Sequence, residues 1–522
     1  MKNLKYIIIV FTASILTLTG CNEEFLEISN PNAYSEDSYF TTASQLEEAV
    51  AAAYYGFLHK GLYTREWYFF HDILGNDAKA APAMVGTGGV GQLPTVSFDG
   101  TNSEIQELWR SLYRIVLRST IAEEKAMTFQ AKGNQEEAIK ARVLGEASFL
   151  KAWTYWSLYR LWGAVPLRKT LEDMKIKNYP RAESEEAIIS YIMELLDVAE
   201  NNLPVEWNVE YTGRVTKGAA LAVRGQVYMW QQEWATAESE FEKLAQAPYD
   251  YQLADNFFDN HNEAGENNVE SIFEIQHLFN PAANVWYMFG GQESWGPDQA
   301  STGRAMEYGF NDWFNVFVSP STVNAFTYQL DGESYVDPRA YFTFYGDEAS
   351  GGDHTYYCEE CEDNEQEFNF EIKGYTWKKY QRYEERETEG VPQSPINSRV
   401  IRYADVLLMK AEAQIAQNKL NEALANINEV RERAGAGTYE SLGNQSEAMG
   451  ILKRERRLEL AGEQVRFFDL IRWGELIKLN DEKAAQAEGR PYSEKHVKFP
   501  IPSDELDINQ EMVDNLYFSG WN

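Results

Sequence analysis

The stretch that most constrains the fold is 401–434, IRYADVLLMKAEAQIAQNKLNEALANINEVRERA. Tyr403, Leu407, Ala411 and Gln414 fall on one face at helical spacing, and Leu420, Leu424, Ile427 and Val430 do the same after Asn418-Lys419. Alanines at 404, 411, 413, 416, 423 and 425 let two helices approach closely. The unit is 34 residues long, which is the tetratricopeptide period of one helix–turn–helix per repeat. Such a hairpin cannot bury its apolar face alone, so it requires others stacked on it. The rest of the chain is expected to supply further helical hairpins and long excursions from them.

With 522 residues the chain can bury a large core. Lys and Arg number 47 against 81 Asp and Glu, a net charge of −34. That balance disfavours nucleic acid, whose affinity comes mainly from cations on phosphates, and disfavours docking on anionic lipid by charge. Aromatic content is 14%, with 14 Trp and 31 Tyr, more than helical repeats need. The three cysteines are Cys21, Cys358 and Cys361, so no disulfide framework holds the fold. Cys358-Glu359-Glu360-Cys361 reads as a zinc half-site, a redox pair or a short-loop disulfide. No second CxxC or histidine pair completes a zinc site, and four nearby acids raise rather than lower a thiol pKa. In an oxidising location Cys358 and Cys361 are disulfide candidates, a clip rather than a chemistry.

At the amino terminus Lys2 and Lys5 precede an apolar run, 6–18, that meets Leu18-Thr19-Gly20-Cys21. A basic start, a short apolar stretch and small residues at its end form a secretory signal peptide, residues 1–20, too short for a stable span. Cysteine directly after glycine resembles a bacterial lipobox, with Cys21 as the lipidated first residue of the mature chain. Asn22-Glu23-Glu24 resembles the acidic tag of cell-surface lipoproteins of Bacteroidetes. That resemblance implies the outer membrane, facing outwards, and since no other segment reaches 18 apolar residues the lipid on Cys21 is expected to be the only membrane attachment.

Residues 21–42 are read as a tether and 43–247 as an amino-terminal helical part. Thr42 or Ser44 suits an N-cap. Long helices are expected over 103–130 and 135–161, joined at Gly133-Asn134, and others near 184–202, 216–232 and 235–245, with Ser184 as an N-cap. Phe149, Trp153, Trp156 and Tyr159 recur at helical spacing and are read as core. Gly86, Gly88 and Gly91 match the dinucleotide fingerprint, but no β-branched strand precedes them and Pro94 interrupts the helix that should follow, so the stretch from Asp77 to Gly100 is read as a mobile surface loop, within a binding loop over 71–100. From 248 to 399 the helical period fades. SIFEIQHLF (271–279) alternates like a strand, and 345–376 is acidic, Gly-rich and aromatic around the CxxC hairpin. Residues 400–522 return to helical hairpins, the last expected over 446–461 and 463–478, followed by a Pro-broken wrapping tail. Arg454, Glu455, Arg456, Arg457, Glu459, Glu463, Arg466, Asp469 and Arg472 are spaced to pair within and between helices. They are read as a structural ion network, not a catalytic set.

Several segments together resemble the SusD/RagB outer-membrane nutrient-binding lipoproteins. They are GEASFLKAWTYWSLYRLWGAVPL (145–167), GRVTKGAALAVRGQVYMW (213–230), IRYADVLLMKAEA (401–413), RERRLELAGEQVRFFDLIRWG (454–474) and FPIPSDELDIN (499–509). The resemblance implies a mainly α fold of about four tetratricopeptide-like hairpins supporting an irregular, loop-rich region with a little β. It implies capture of an oligo- or polysaccharide at the cell surface without catalysis and without a cofactor. It also implies partnership with a SusC-like TonB-dependent transporter.

Sugar rings present C–H faces flanked by hydroxyls, so an aromatic face with carboxylates or amides beside it is the expected contact. Trp286, Tyr287 and Trp295, in a Gly/Pro/Asn-rich loop, are the first candidates, followed by Tyr308 and Trp313. Family members also use the segment after the first helices, here GNDAKAAP, which adds Asn76 and Asp77; an Asx turn beside Gly75 explains the same residues. A neutral saccharide is expected, bound weakly. Asp255, Asp259 and Glu263 are weak candidates for a structural calcium, since the EF-hand spacing is absent. Two other classes remain open at this point. A glycoside hydrolase needs two carboxylates flanking the scissile bond, and a repeat scaffold would hold a protein or peptide in its concave face.

Overall fold

In the computed structural model the described residues are 39–279, 300–382, 393–481, 491–512 and 521. The frame is a succession of helices, each laid on the next. They are α1 (Ala43–Tyr55), α2 (Glu66–Leu74), α3 (Ser103–Thr128), α4 (Asn134–Trp162), α5 (Glu185–Asn202), α6 (Lys217–Trp230) and α7 (Trp234–Leu244). After the loop-rich region follow α8 (Tyr403–Ala416), α9 (Leu420–Arg433), α10 (Gln445–Leu460) and α11 (Arg466–Arg472). Helix α3 packs on α4, α4 on α5, α5 on α6 and α6 on α7; α7 packs on α8, and α8 on both α9 and α10. The two halves of the chain are therefore one stack, joined at α7–α8.

The local signals act as their chemistry requires. Asn102 accepts from the Glu104 and Ile105 N–H groups, Ser184 from Ala187, Thr216 from Ala219, and Asn444 from Ser446 and Glu447. Each cap contributes about 1 kcal/mol. The α6–α7 and α8–α9 hairpins turn alike, with Gln232 (φ 61°) and Asn418 (φ 60°) in the left-handed region. Gly225 lets α7 come close to α6, since a Cβ there would lie 2.3 Å from the Phe241 ring. Phe149, Trp153 and Trp156 are almost fully buried, as the aromatic stripe predicts. The helix expected over 463–478 is shorter: α11 ends at Arg472, and Gly474 (φ 65°) reverses the chain before a single 3₁₀ turn, Leu476–Lys478. The loop expected on the surface lies there only at its tip. Val90, Leu93, Val96 and Phe98 are buried, and a Cβ at Gly91 would meet the Met84 carbonyl at 2.2 Å. No helix follows those glycines before α3, so no dinucleotide site forms.

Ten short strands pair two by two among the described residues. They are β1 (Ala78–Ala80) with β3 (Val316–Val318), β2 (Ser271–Ile275) with β10 (Ser398–Arg402), β4 (Thr327–Leu330) with β5 (Glu333–Val336), β6 (Phe344–Tyr345) with β9 (Thr376–Trp377), and β7 (Thr355–Tyr357) with β8 (Glu365–Glu367). All are antiparallel. Two-stranded ribbons are marginal alone, so something must hold them to the helices.

The holdfast is a buried ion network centred on α10. Arg339 donates to Asp337 (2.8 and 2.9 Å) and Glu459 (3.1 Å) and pairs with Glu455 (2.6 Å). Arg402 donates to Glu270 (2.6 Å), Glu459 (2.6 Å) and Glu463 (2.8 Å), and Lys379 donates to Glu463 (2.9 Å). Burial alone would push the Glu459 carboxyl up. The guanidiniums of Arg433, Arg402 and Arg339 outweigh it and hold the group at about 2. Burial likewise opposes ionisation of Glu463, and Arg402 with Lys379 hold it at about 2. The charge motif read from 454–472 is thus structural. It ties Arg339, beside β6, and Lys379, beside β9, to the frame. The tail closes over the amino-terminal half: the Trp162 indole donates to the Pro500 carbonyl at 2.9 Å, and Ser503 N–H to Gly100 O at 2.8 Å.

Candidate saccharide cleft

The ribbon β1–β3 lays the 75–82 segment along 311–319, with Ala81 N–H donating to Asn315 O at 2.8 Å. This places Asn76 and Asp77 inside, not on a binding face. Asn76 is 3% exposed and Asp77 1%. The Asn76 carbonyl accepts from Ser319 Oγ (2.6 Å), and Asn76 itself takes the left-handed turn, φ 59°. Asp77 accepts from Thr322 Oγ1 (3.2 Å) and Gly462 N–H (3.3 Å), with Arg457 and Arg466 each 3.7 Å away. Burial pushes its carboxyl up against the pull of those two arginines. The pair joins the loop region to α10 and α11, and has no free face for a sugar.

Tyr308, too, lies in the core and not on a binding face. Its hydroxyl donates to Asp72 Oδ2 at 2.8 Å, its ring meets Tyr68 edge-on at 5.4 Å, and it is 1% exposed. Trp313 is half-buried at the end of the turn that follows Tyr308, its N–H bonded to Met306 O at 3.1 Å. Trp286, Tyr287 and Trp295 lie outside the described residues, as does Cys21. The ends of the segment that carries the three aromatics meet where Leu278 N–H donates to Ala300 O at 2.7 Å, beside the Thr302–Ser394 bridge. Asp255, Asp259 and Glu263 are not brought together. Glu263 pairs with Arg382 at 2.8 Å, and no cluster of three metal-ligating side chains occurs among the described residues.

A cleft of about 440 Å³ opens between the short helix Arg339–Thr343, the β6–β9 ribbon and the β7–β8 hairpin. Its rings are Tyr341, Tyr345, Tyr356 and Tyr357, and its polar groups include Asp353, Asp363, Asn364 and Lys378. The hairpin pairs Tyr356 with Gln366, whose Oε1 accepts from the Tyr356 hydroxyl at 2.7 Å. Its turn is closed by the Cys358–Cys361 disulfide, and Asp363 and Asn364 turn at φ 60° and 57°. Lys378 forms the floor. Its ammonium pairs with Asp353 Oδ2 at 2.8 Å and lies 4.3 Å from the centre of the Tyr341 ring. Tyr341 is 42% exposed. Phe310 backs the cleft through ring contacts with Tyr356 of the hairpin (5.0 Å) and Tyr345 of β6 (5.4 Å).

Chemically the cleft offers aromatic faces beside fixed carboxylates, an amide and a cation. Its volume is about three times the 150 Å³ that admits one six-membered ring. Tyr341, Tyr356, Tyr357 and Lys378 escaped the sequence reading, although their region stood out as acidic and aromatic. Positions 341 and 378 converge through the two-residue β6–β9 ribbon and 357 through the β7–β8 hairpin, contacts with no periodic signature.

Residues 270–521 match a sequence model described as SusD family, and residues 24–229 one described as starch-binding associating with outer membrane. A SusD-like protein of Formosa agariphila is 26% identical over 97% of this chain and 98% of its own length. A crystal structure of a SusD superfamily protein from Bacteroides vulgatus superposes with a TM-score of 0.76 at 25% identity, covering 91% of this chain and 98% of that one. Surface glycan-binding protein A from Bacteroides thetaiotaomicron, in complex with laminarihexaose, superposes with a TM-score of 0.69 at 21% identity, over 89% and 97%. Matched along nearly its whole length in sequence and in helical architecture, this chain belongs to the SusD/RagB family.

Proposed function

We propose that the protein is a non-catalytic saccharide-binding lipoprotein of the outer cell surface, held by a lipid on Cys21, that passes oligosaccharide to a SusC-like TonB-dependent transporter. The observation that carries the binding reading is the tyrosine cleft, where the exposed Tyr341 and the half-buried Tyr356 and Tyr357 stand beside fixed polar groups in a volume suited to two or three sugar rings. Tyr341 and Tyr357 stack on the C–H faces and the exposed Asp363 and Asn364 meet the hydroxyls, while the buried Asp353–Lys378 pair fixes the floor. Trp313 extends the surface, and Trp286, Tyr287 and Trp295 are further contacts on sequence grounds. A protein of the same fold, solved with laminarihexaose, supports a neutral saccharide as ligand. The net charge of −34 supports the same choice over a polyanion.

Affinity electrophoresis through gels containing neutral polysaccharides tests the reading. Retardation in at least one gel, reduced in Tyr341→Ala, Trp313→Ala, Trp286→Ala or Trp295→Ala, is expected, and no reducing ends should appear on incubation. Release of reducing ends by purified protein would favour the hydrolase instead.

A further inference from the structure

A second, smaller cavity, about 80 Å³, lies where α4 and α6 meet α8, α10 and α11. Its walls are aromatic, with Trp67, Trp153, Trp156, Trp230 and Phe468 among them. Most of its charged groups are compensated: Arg456 pairs with Asp405 (2.8 Å) and Asp469 (2.7 Å), and Arg472 pairs with Glu412 and with Asp469 (2.8 Å). Arg160, in the last turn of α4, differs. Its guanidinium lies over the rings of Phe468 (3.9 Å) and Trp156 (5.0 Å). Its one hydrogen bond within the described residues runs from Nη2 to Ser157 Oγ at 3.5 Å, and Nε is buried without a partner. No carboxylate among the described residues lies within 4.0 Å of it.

Arg160 is half-buried in this aromatic-walled recess, and the carboxylate that attracts it, Asp405, is already paired with Arg456, so the guanidinium is only partly compensated. Burial pushes the group down to about 9. Size then selects the ligand. About 80 Å³ is roughly half of the 150 Å³ that takes a benzene ring. A sugar ring does not fit, whereas a carboxylate on one or two carbons does, and a guanidinium binds that group bidentately.

We propose that Arg160 makes this cavity a carboxylate-binding site, filled either by a free short-chain carboxylate or by the tip of an acidic side chain from a bound polypeptide. The site is separate from the tyrosine cleft and does not depend on the saccharide reading.

The test titrates the whole mature protein with sodium acetate, with sodium chloride at matched ionic strength, and with the tripeptide amide Gly-Glu-Gly. The readouts are tryptophan fluorescence, since four of the wall residues are indoles, and the thermal midpoint. Wild type should respond saturably to acetate, the midpoint rising roughly 1–2 °C at ten times Kd. Arg160→Met should lose that response while melting in chloride at or above the wild-type midpoint, because the unpaired cation is gone. Arg160→Lys keeps the charge without the planar fork and should bind acetate at least fivefold more weakly. Saturation by Gly-Glu-Gly amide at lower concentration than acetate assigns the site to an acidic side chain, and the reverse order to a free carboxylate. An equal response in Arg160→Met, an equal response to chloride, or unchanged acetate affinity in Arg160→Lys would overturn the proposal.

Discussion

The ion network on α10 makes a quantitative claim that the isosteric change Glu459→Gln tests. The Glu459 carboxylate is shared by Arg402 at 2.6 Å, Arg339 at 3.1 Å and Arg433. Glutamine keeps the shape, removes the charge and turns an amide donor towards guanidinium donors. Held at about 2 in the folded chain, against roughly 4.5 when unfolded, the carboxyl binds fewer protons folded than unfolded at every pH between those values. Its contribution, about 3 kcal/mol, is therefore complete above pH ~4.5 and is lost as pH falls towards ~2. Breaking a buried ionic cluster by removing one partner costs a similar amount, about 3–5 kcal/mol. Because the midpoint responds weakly in a chain this long, the deficit should be about 3–5 °C near neutrality. Calorimetric melts of wild type, Glu459→Gln and the exposed-site control Glu494→Gln from pH 7 to pH 2.5 measure it. The deficit of Glu459→Gln should stay level down to pH ~4.5 and then shrink, while the control follows wild type. A deficit that is absent near neutrality, or that does not shrink in acid, refutes the assignment of Glu459 as a permanently ionised keystone.

Asp77→Ala should destabilise by roughly 2–4 kcal/mol, because it leaves Arg457 and Arg466 facing a buried gap. It should leave saccharide affinity unchanged once folded; thermal melts paired with binding assays read both. Reducing the Cys358–Cys361 disulfide closes no long loop, so the global midpoint should move by less than about 2 °C. Protease cleavage of the β7–β8 hairpin should accelerate and saccharide affinity should fall, because Tyr357 sits directly before Cys358.

The frame was legible because its signals are local and periodic. Tyr403, Leu407 and Ala411, together with Ile427 and Val430, repeat at helical spacing and are all buried. Ser184, Asn418 and Gly133 mark helix ends through cap and turn chemistry that one residue can carry. The 454–472 charges were readable as a network because i,i+3 and i,i+4 spacing places them on common faces. The site was much less legible. Tyr308 sits in a Gly-rich stretch, which suggests exposure, yet Asp72 draws its hydroxyl into the core across more than two hundred residues. Asn76 and Asp77 stand where a loop residue would meet solvent, but the partners that bury them, Ser319, Thr322 and Gly462, are distant in sequence. Long-range ribbons such as β6–β9 also assemble the tyrosine cleft. Two-residue strands leave no alternation from which to read it.

Calorimetric titration of the mature protein with a panel of neutral hexasaccharides, laminarihexaose among them, is the most direct measurement. Saturable binding to at least one should weaken about two- to tenfold in Tyr341→Ala with the melting midpoint unchanged, as expected for the loss of one stacked ring. Full wild-type affinity in Tyr341→Ala, Tyr357→Ala and Trp313→Ala alike would contradict the assignment of this face.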